Sequence, residues 1–247
     1  MIELVHLDVN VVTHCNARCV SCSHASPFTT PWEMEPETLS RDLAELKKVA
    51  HFARIQLVGG EPTLHHRIGE MLRVAYASGI AERVSVITNG RALRKMHDDF
   101  WRGLDVLQLS IYGNLPEGIE QFARDKCVEH GKIFEAREFG TFFKQFRETP
   151  GDGSNFAGCV WKNDCWTVHE GHFALCPQSL FFPKNFMGLP QFIDCLPLAE
   201  ITPRIFSAFI DRKQPLNACR ICMANELVRQ PWREAKTRED WLGEKPL

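Results

Sequence analysis

The chain has 247 residues, 29 Lys and Arg against 31 Asp and Glu, a net charge of −2, and ten cysteines. That length holds one hydrophobic core, or one core with a small appendage; the balanced charge, without long runs of either sign, gives no support for binding nucleic acid or an acidic membrane surface. No apolar run reaches membrane-spanning length and no signal-peptide pattern is present, so ten cysteines argue for reduced thiols, metal binding and the cytoplasm rather than for disulfides. Taken in chain order, Leu4 to Val12 alternates apolar and polar residues and predicts a strand over 3–12. Pro36 to Val49 predicts an amphipathic helix, with Pro36 in its first turn and Leu39, Leu43, Leu46 and Val49 on one face. Residues 54–58 predict a second strand, and 67–78 a helix stopped by Gly79. Val84 to Thr88 predicts a third strand closed by Asn89-Gly90, 91–102 a helix, Val106 to Ile111 a fourth strand, 117–129 a helix, and Lys132 to Glu138 a fifth strand. Alternation of this kind predicts parallel strands with helical crossovers, and a site at the carboxyl ends of the strands.

Beyond about residue 140 the composition shifts. Thirteen of seventeen phenylalanines lie past residue 130, and Gly, Pro and Cys punctuate the chain. A boundary is expected at Glu148-Thr149-Pro150-Gly151-Asp152-Gly153, giving domains 1–150 and 151–247. Phe139, Phe142, Phe143 and Phe146 have helical spacing and read as core. Trp166-Thr167-Val168, Glu170-Gly171 and Phe173-Ala174-Leu175 read as a hairpin. Trp232 and Trp241 read as anchors of a charged tail, onto the barrel or another subunit.

Two motifs carry chemistry. Cys15-Asn16-Ala17-Arg18-Cys19-Val20-Ser21-Cys22 places three thiols at C-x3-C-x2-C spacing on the loop after the first strand. Three thiolates on one loop suit iron–sulfur or zinc, but structural zinc takes four ligands, whereas three leave one iron of a [4Fe–4S] cube open. Gly59-Gly60-Glu61-Pro62 ends the second strand, where two glycines allow close backbone approach to a ligand.

This pair of motifs, in this order and about forty residues apart, resembles the radical S-adenosylmethionine (SAM) superfamily over residues 1–140. The resemblance implies an α/β fold, a partial, truncated TIM-like barrel. It implies a first [4Fe–4S] cluster on Cys15, Cys19 and Cys22 whose open iron chelates SAM, which is cleaved to methionine and a 5′-deoxyadenosyl radical that takes hydrogen from a substrate. By the same resemblance Gly59, Gly60 and Glu61 hold the methionine amino end through backbone groups, and Asn89 and Ser110 meet the ribose or carboxylate. Arg124 and Arg137 are weaker candidates for the SAM carboxylate. The family's aromatic residue before the third cysteine is Ser21 here, which removes a stacking contact to adenine.

A second cysteine set follows. Cys159, Gly171, Cys176 and the C-x2-C pair Cys219 and Cys222 match the family's small C-terminal iron–sulfur "twitch" domain, a short SPASM-like module. The resemblance implies a second, fully ligated [4Fe–4S] cluster. A zinc site on the same thiols, and Cys165 in place of Cys159, remain open alternatives. Cys127, Cys165 and Cys195 are spare; Cys165 is the best candidate for a hydrogen-atom donor, and a small buried apolar role is the plainer reading. His14 and His24 border the thiol loop. His65-His66 reads as a helix entry with side chains pointing apart.

The layout is similar to that of the family's aminocyclitol dehydrogenases. The expected function is therefore a radical SAM oxidoreductase of natural product biosynthesis acting on a small polyol, sugar or aminocyclitol. The auxiliary cluster would assist oxidation, and an external donor such as flavodoxin or ferredoxin would supply electrons. Alternatives are a peptide-modifying enzyme forming crosslinks or epimers, and a sugar epimerase with a Cys hydrogen donor. With the first thiol at residue 15, no leader-binding domain is expected ahead of it.

Overall fold

A computed structural model of the chain describes residues 1–242. It runs β1 (Ile2–Val12), α1 (Pro36–Leu46), β2 (Ala50–Gly59), α2 (Ile68–Ser78), β3 (Ala81–Thr88), α3 (Asp98–Gly103), β4 (Val106–Ile111), α4 (Ile119–Glu129) and β5 (Ile133–Glu138). There follow β6 (Thr141–Phe143), β7 (Thr167–His169), β8 (His172–Ala174), α5 (Pro177–Met187), β9 (Leu196–Pro197), α6 (Pro203–Ile210), β10 (Arg229–Pro231) and α7 (Arg238–Leu242). The main sheet has the order β5-β4-β3-β2-β1-β7-β8-β9. From β5 to β7 the pairs are parallel; β7-β8 and β8-β9 are antiparallel. The sheet is open, with β5 and β9 at its edges, as in a partial barrel.

Register explains why the strands alternate instead of being apolar throughout. Leu7 lies beside Ile55, Leu57 beside Val86, and Val86 beside Leu107. This outer face is covered by the helices through Leu39, Leu43, Met71, Leu72, Trp101 and Ala123, all fully buried. Truncating one such leucine, Leu43→Ala, costs about 2–5 kcal/mol. The other face carries Asp8 beside Gln56 and Thr167, and Gln56 beside Ser85. This polar face lines the interior of the partial barrel, where Gln56 donates to Asp8 at 2.7 Å.

The parallel strand on the far side of β1 comes from the cysteine-rich half. β7 docks on β1 with Asp8 level with Thr167, and the turn after it is tied down where the Gly171 amide donates to buried Asp42 of α1 at 2.8 Å. A second apolar cluster, including Phe146, Leu180, Phe181, Phe182 and Trp241, packs α5 and the tail together.

Three expectations need correction. The first helix ends at Leu46, because Ala50 is already paired with Ile2. Residues 91–102 divide into a single 3-10 turn, Leu93–Lys95, and α3. The phenylalanine run is not helical: Gly140 separates β5 from β6, which pairs with β10 in a small sheet.

Candidate active site

The thiol loop and the glycine motif are locked together by backbone. The Gly60 amide donates to the Val12 carbonyl at 2.8 Å and the Glu61 amide to the His14 carbonyl at 3.0 Å. Only glycines permit this: Gly59 has φ +128°, and a Cβ at Gly60 would lie 1.9 Å from the His14 oxygen. With those amides engaged, the carbonyls of Gly59 and Gly60 are what this segment offers a ligand's ammonium group.

The Glu61 carboxylate is buried and braces the next strand end. It accepts from the Thr63 amide at 3.1 Å, the Thr63 hydroxyl at 2.5 Å, the Thr88 hydroxyl at 2.6 Å and the Asn89 amide at 2.8 Å. Burial raises its pKa above the ordinary carboxylate value against those bonds. Asn89 in turn holds the thiol loop, donating to Asn16 Oδ1 at 2.8 Å, with Cys15 Sγ at 3.6 Å. Its side chain is thus committed to the loop.

Cys15, Cys19, Cys22, Gly59, Gly60, Glu61, Asn89 and Ser110 line one cavity of about 580 Å³ at the carboxyl ends of β1 to β4. Burial, with lesser contributions from neighbouring acidic groups, pushes the Cys15 and Cys19 thiols up to about 12. Bare thiolates are therefore disfavoured here, and a cationic iron centre is the kind of group that would ionise them. Three converging soft donors, with carbonyls and a brace beside them, fit such a centre with SAM. His24 also borders the cavity; burial holds it neutral, down to about 4.

Several functional candidates were not legible as such in the sequence. Phe139, Phe142 and Phe143 line the cavity instead of a core, with Tyr112 packed edge-on against Phe142 at 5.5 Å. Asp8 forms part of the floor; burial lifts its carboxyl to about 6. Its signal was an acidic residue at an inward position of an alternating strand. Arg124 and Arg137 lie on the surface, and Arg124 pairs with Glu120.

His65 and His66 do not point apart. Their rings are parallel, 5.3 Å between centroids, and both face Glu33, with His66 hydrogen-bonded to it. The backbone at His65 is extended, so helical side-chain angles do not apply. No free lone pair is left on His65: Nε2 meets the Met34 carbonyl at 2.8 Å, and Nδ1 accepts from the Arg67 amide at 2.9 Å. The trio is therefore a structural clasp and not a metal site.

The second thiol set also converges. Cys159, Cys176, Cys219 and Cys222 line one small cavity with Phe156, Trp161 and Leu175. Cys176 stands immediately before α5, whose N-terminus favours negative charge. Burial raises Cys176 well above the thiol value and pushes Cys222 up to about 12. Cys165 lines neither cavity among the described residues; it precedes β7, near Asp8, Asp164 and Cys159, and is pushed up to about 12, mainly by burial. The two cavities share a wall. Gln178 of the second donates to Gln145 of the first at 2.7 Å, and Phe143 of the first meets Trp161 of the second at 6.1 Å.

A parallel partial barrel with three thiols and a diglycine turn over its strand ends defines a metal-dependent enzyme that binds a small cofactor at that face. The chain belongs to the radical SAM superfamily, whose family model matches residues 9–134. It is a radical SAM enzyme, and membership implies SAM and a [4Fe–4S] cluster as cofactors. Among curated relatives, the GTP 3′,8-cyclase of Chlorobaculum tepidum is 31% identical over 107 residues, 43% of this chain and 32% of that protein. Molybdenum cofactor biosynthesis protein 1 of Drosophila melanogaster is 27% identical over 131 residues, 50% and 22% of the two chains. The chain thus spans only about a third or less of these two relatives. Among solved structures, BtrN in complex with AdoMet and 2-DOIA matches with a TM-score of 0.54 at 14% identity, over 86% of this chain and 85% of that one. That likeness concerns the fold and extends through both halves. No helix among the described residues is long and apolar enough to cross a membrane.

Proposed function

We propose that this protein is a radical SAM oxidoreductase of small polyols, sugars or aminocyclitols. Cys15, Cys19 and Cys22 would hold the SAM cluster, and Cys159, Cys176, Cys219 and Cys222 an auxiliary [4Fe–4S] cluster in a domain over 151–247. The observation that carries the reading is the shared wall, Gln145 to Gln178 and Phe143 to Trp161, which sets four thiols directly behind the substrate cavity. When bound, these groups supply a 5′-deoxyadenosyl radical that takes a substrate hydrogen atom, and an acceptor for the electron left behind.

The chain's own residues do the rest. The carbonyls of Gly59 and Gly60 would accept from the methionine ammonium of SAM, and Ser110, whose hydroxyl bonds Tyr112, stands near the end of β4. Tyr112, Phe139 and Phe142 wall the cavity and exclude water; they also offer the aromatic surface that Ser21 lacks. Asp8, held up to about 6, takes a proton from a substrate hydroxyl or ammonium at neutral pH.

A second reading, nucleotide cyclisation as in the Chlorobaculum relative, rests on the 31% identity over 107 residues. Against it, Arg229 is the one Lys or Arg among the described residues lining the cavity, too little positive charge for a triphosphate. A peptide-modifying role, or an epimerase using Cys165, is the remaining alternative. Incubating the reconstituted enzyme with SAM, dithionite and a panel of aminocyclitols, sugars and GTP tests the reading. A ketone product with one 5′-deoxyadenosine per turnover supports it, and turnover of GTP alone overturns it.

A further inference from the structure

We propose that Trp232 sets how readily the first iron–sulfur centre is reduced, by donating a hydrogen bond from its indole Nε1 to the sulfur of Cys19. The proposal rests on the assignment of Cys15, Cys19 and Cys22 as cluster ligands. The Nε1 to Sγ distance is 3.3 Å across 213 residues of sequence. An indole N–H only donates, so the direction of the bond is fixed.

The tail that carries this residue is tied to the thiol loop at every step. The Val20 amide donates to the Arg233 carbonyl at 3.0 Å, and the Ala235 amide to the Arg18 carbonyl at 2.7 Å. Gln230 Nε2 donates to the Ser21 hydroxyl at 2.6 Å. Glu234 accepts from Arg91 at 2.6 Å and from Asn114 at 3.0 Å. The indole itself stacks on Tyr112, 5.5 Å between centroids at 5°. So many restraints hold the donor in place whether or not the sulfur is charged. Residues 229–235 lie outside the stretch 9–134 that the family model matches, in the C-terminal half of the chain.

A donor to a cluster sulfur stabilises the more negative, reduced state and raises the reduction potential. Trp232→Phe keeps an aromatic ring on Tyr112 and removes the N–H. The cluster concerned is identified by the change of its electron paramagnetic resonance signal when SAM is added. In a reductive titration its midpoint is expected to fall by about 59 mV, a tenfold loss in the one-electron equilibrium. Iron content and the other cluster's midpoint stay unchanged. Wild-type protein labelled with 15N-indole tryptophan gives a reading that needs no variant: a 15N hyperfine coupling to the SAM-responsive cluster is expected. An unchanged midpoint at full iron content, or no 15N coupling, overturns the role of Trp232. Full iron and an intact SAM response in a Cys15, Cys19 and Cys22 triple alanine variant would instead overturn the ligand assignment beneath it.

Discussion

Replacing Gly60 with alanine places a methyl group 1.9 Å from the His14 carbonyl oxygen, where real contacts stop near 3.0 Å. Both atoms belong to backbone, so no side chain can swing away. The two segments must separate by about 1.1 Å. The 3.0 Å bond from the Glu61 amide to the same oxygen then leaves hydrogen-bonding range, and Cys15, the next residue, moves with it. The lost bond costs about 1 kcal/mol and forced packing about 1–3 kcal/mol, so Gly60→Ala should destabilise by about 2–4 kcal/mol. The displacement falls on a cluster ligand, so iron is the sharper readout. The variant should retain about four of about eight irons after anaerobic reconstitution, with a lower urea midpoint. Gly151→Ala, whose added methyl meets its nearest neighbour at an ordinary 3.5 Å, is the control. A Gly60→Ala protein with wild-type iron and stability would refute the claim that this contact fixes the thiol loop.

Other predictions concern the brace, the auxiliary ligands and the cavity floor. Glu61→Gln puts an NH2 donor against one of the N–H or O–H donors around the carboxylate; it should cost about 1–3 kcal/mol, read by urea unfolding, and loosen the Asn89 hold on Cys15. Cys159→Ala should lose about four irons whereas Cys165→Ala keeps them all; the reverse pattern would move the ligand to Cys165. Asp8 is raised from 3.8 to about 6 by burial, so the folded state binds the extra proton between those values. Its contribution therefore favours folding at low pH and is lost as pH rises through about 6, and Asp8→Asn should abolish that part of the pH dependence in urea midpoints. A stability profile unchanged by Asp8→Asn would remove the shift.

The barrel half was legible because its signals are local. Alternation in Leu4 to Val12 states which face meets helices, and β1 to β5 fall where period and punctuation put strands, with β2 beginning at Ala50 and β3 at Ala81, ahead of the expected 54 and 84. The thiol loop and Gly59-Gly60 carry their chemistry in their spacing. What was not legible depends on pairing between distant segments. Phe139, Phe142 and Phe143 fit a helical wheel, but their fate was decided by Gly140 and by a partner strand at 229–231. His65 and His66 were drawn together by Glu33, which lies in the loop before α1, 33 residues before His66. Trp232 reads in sequence as a tail anchor, and nothing near it names Cys19 as its partner. Nor does any local pattern show that β7 joins the β1 edge, since Asp8 and Thr167 meet only through the tertiary fold.

The central claim, two clusters flanking one cavity in a SAM-cleaving enzyme, is tested most directly by anaerobic reconstitution with iron and sulfide, followed by dithionite and SAM. The account predicts about eight irons per chain and release of 5′-deoxyadenosine, with cleavage abolished and about four irons kept when Cys15, Cys19 and Cys22 are replaced by alanine. Bound zinc without cleavage of SAM, or a triple variant that keeps all its iron, would contradict it.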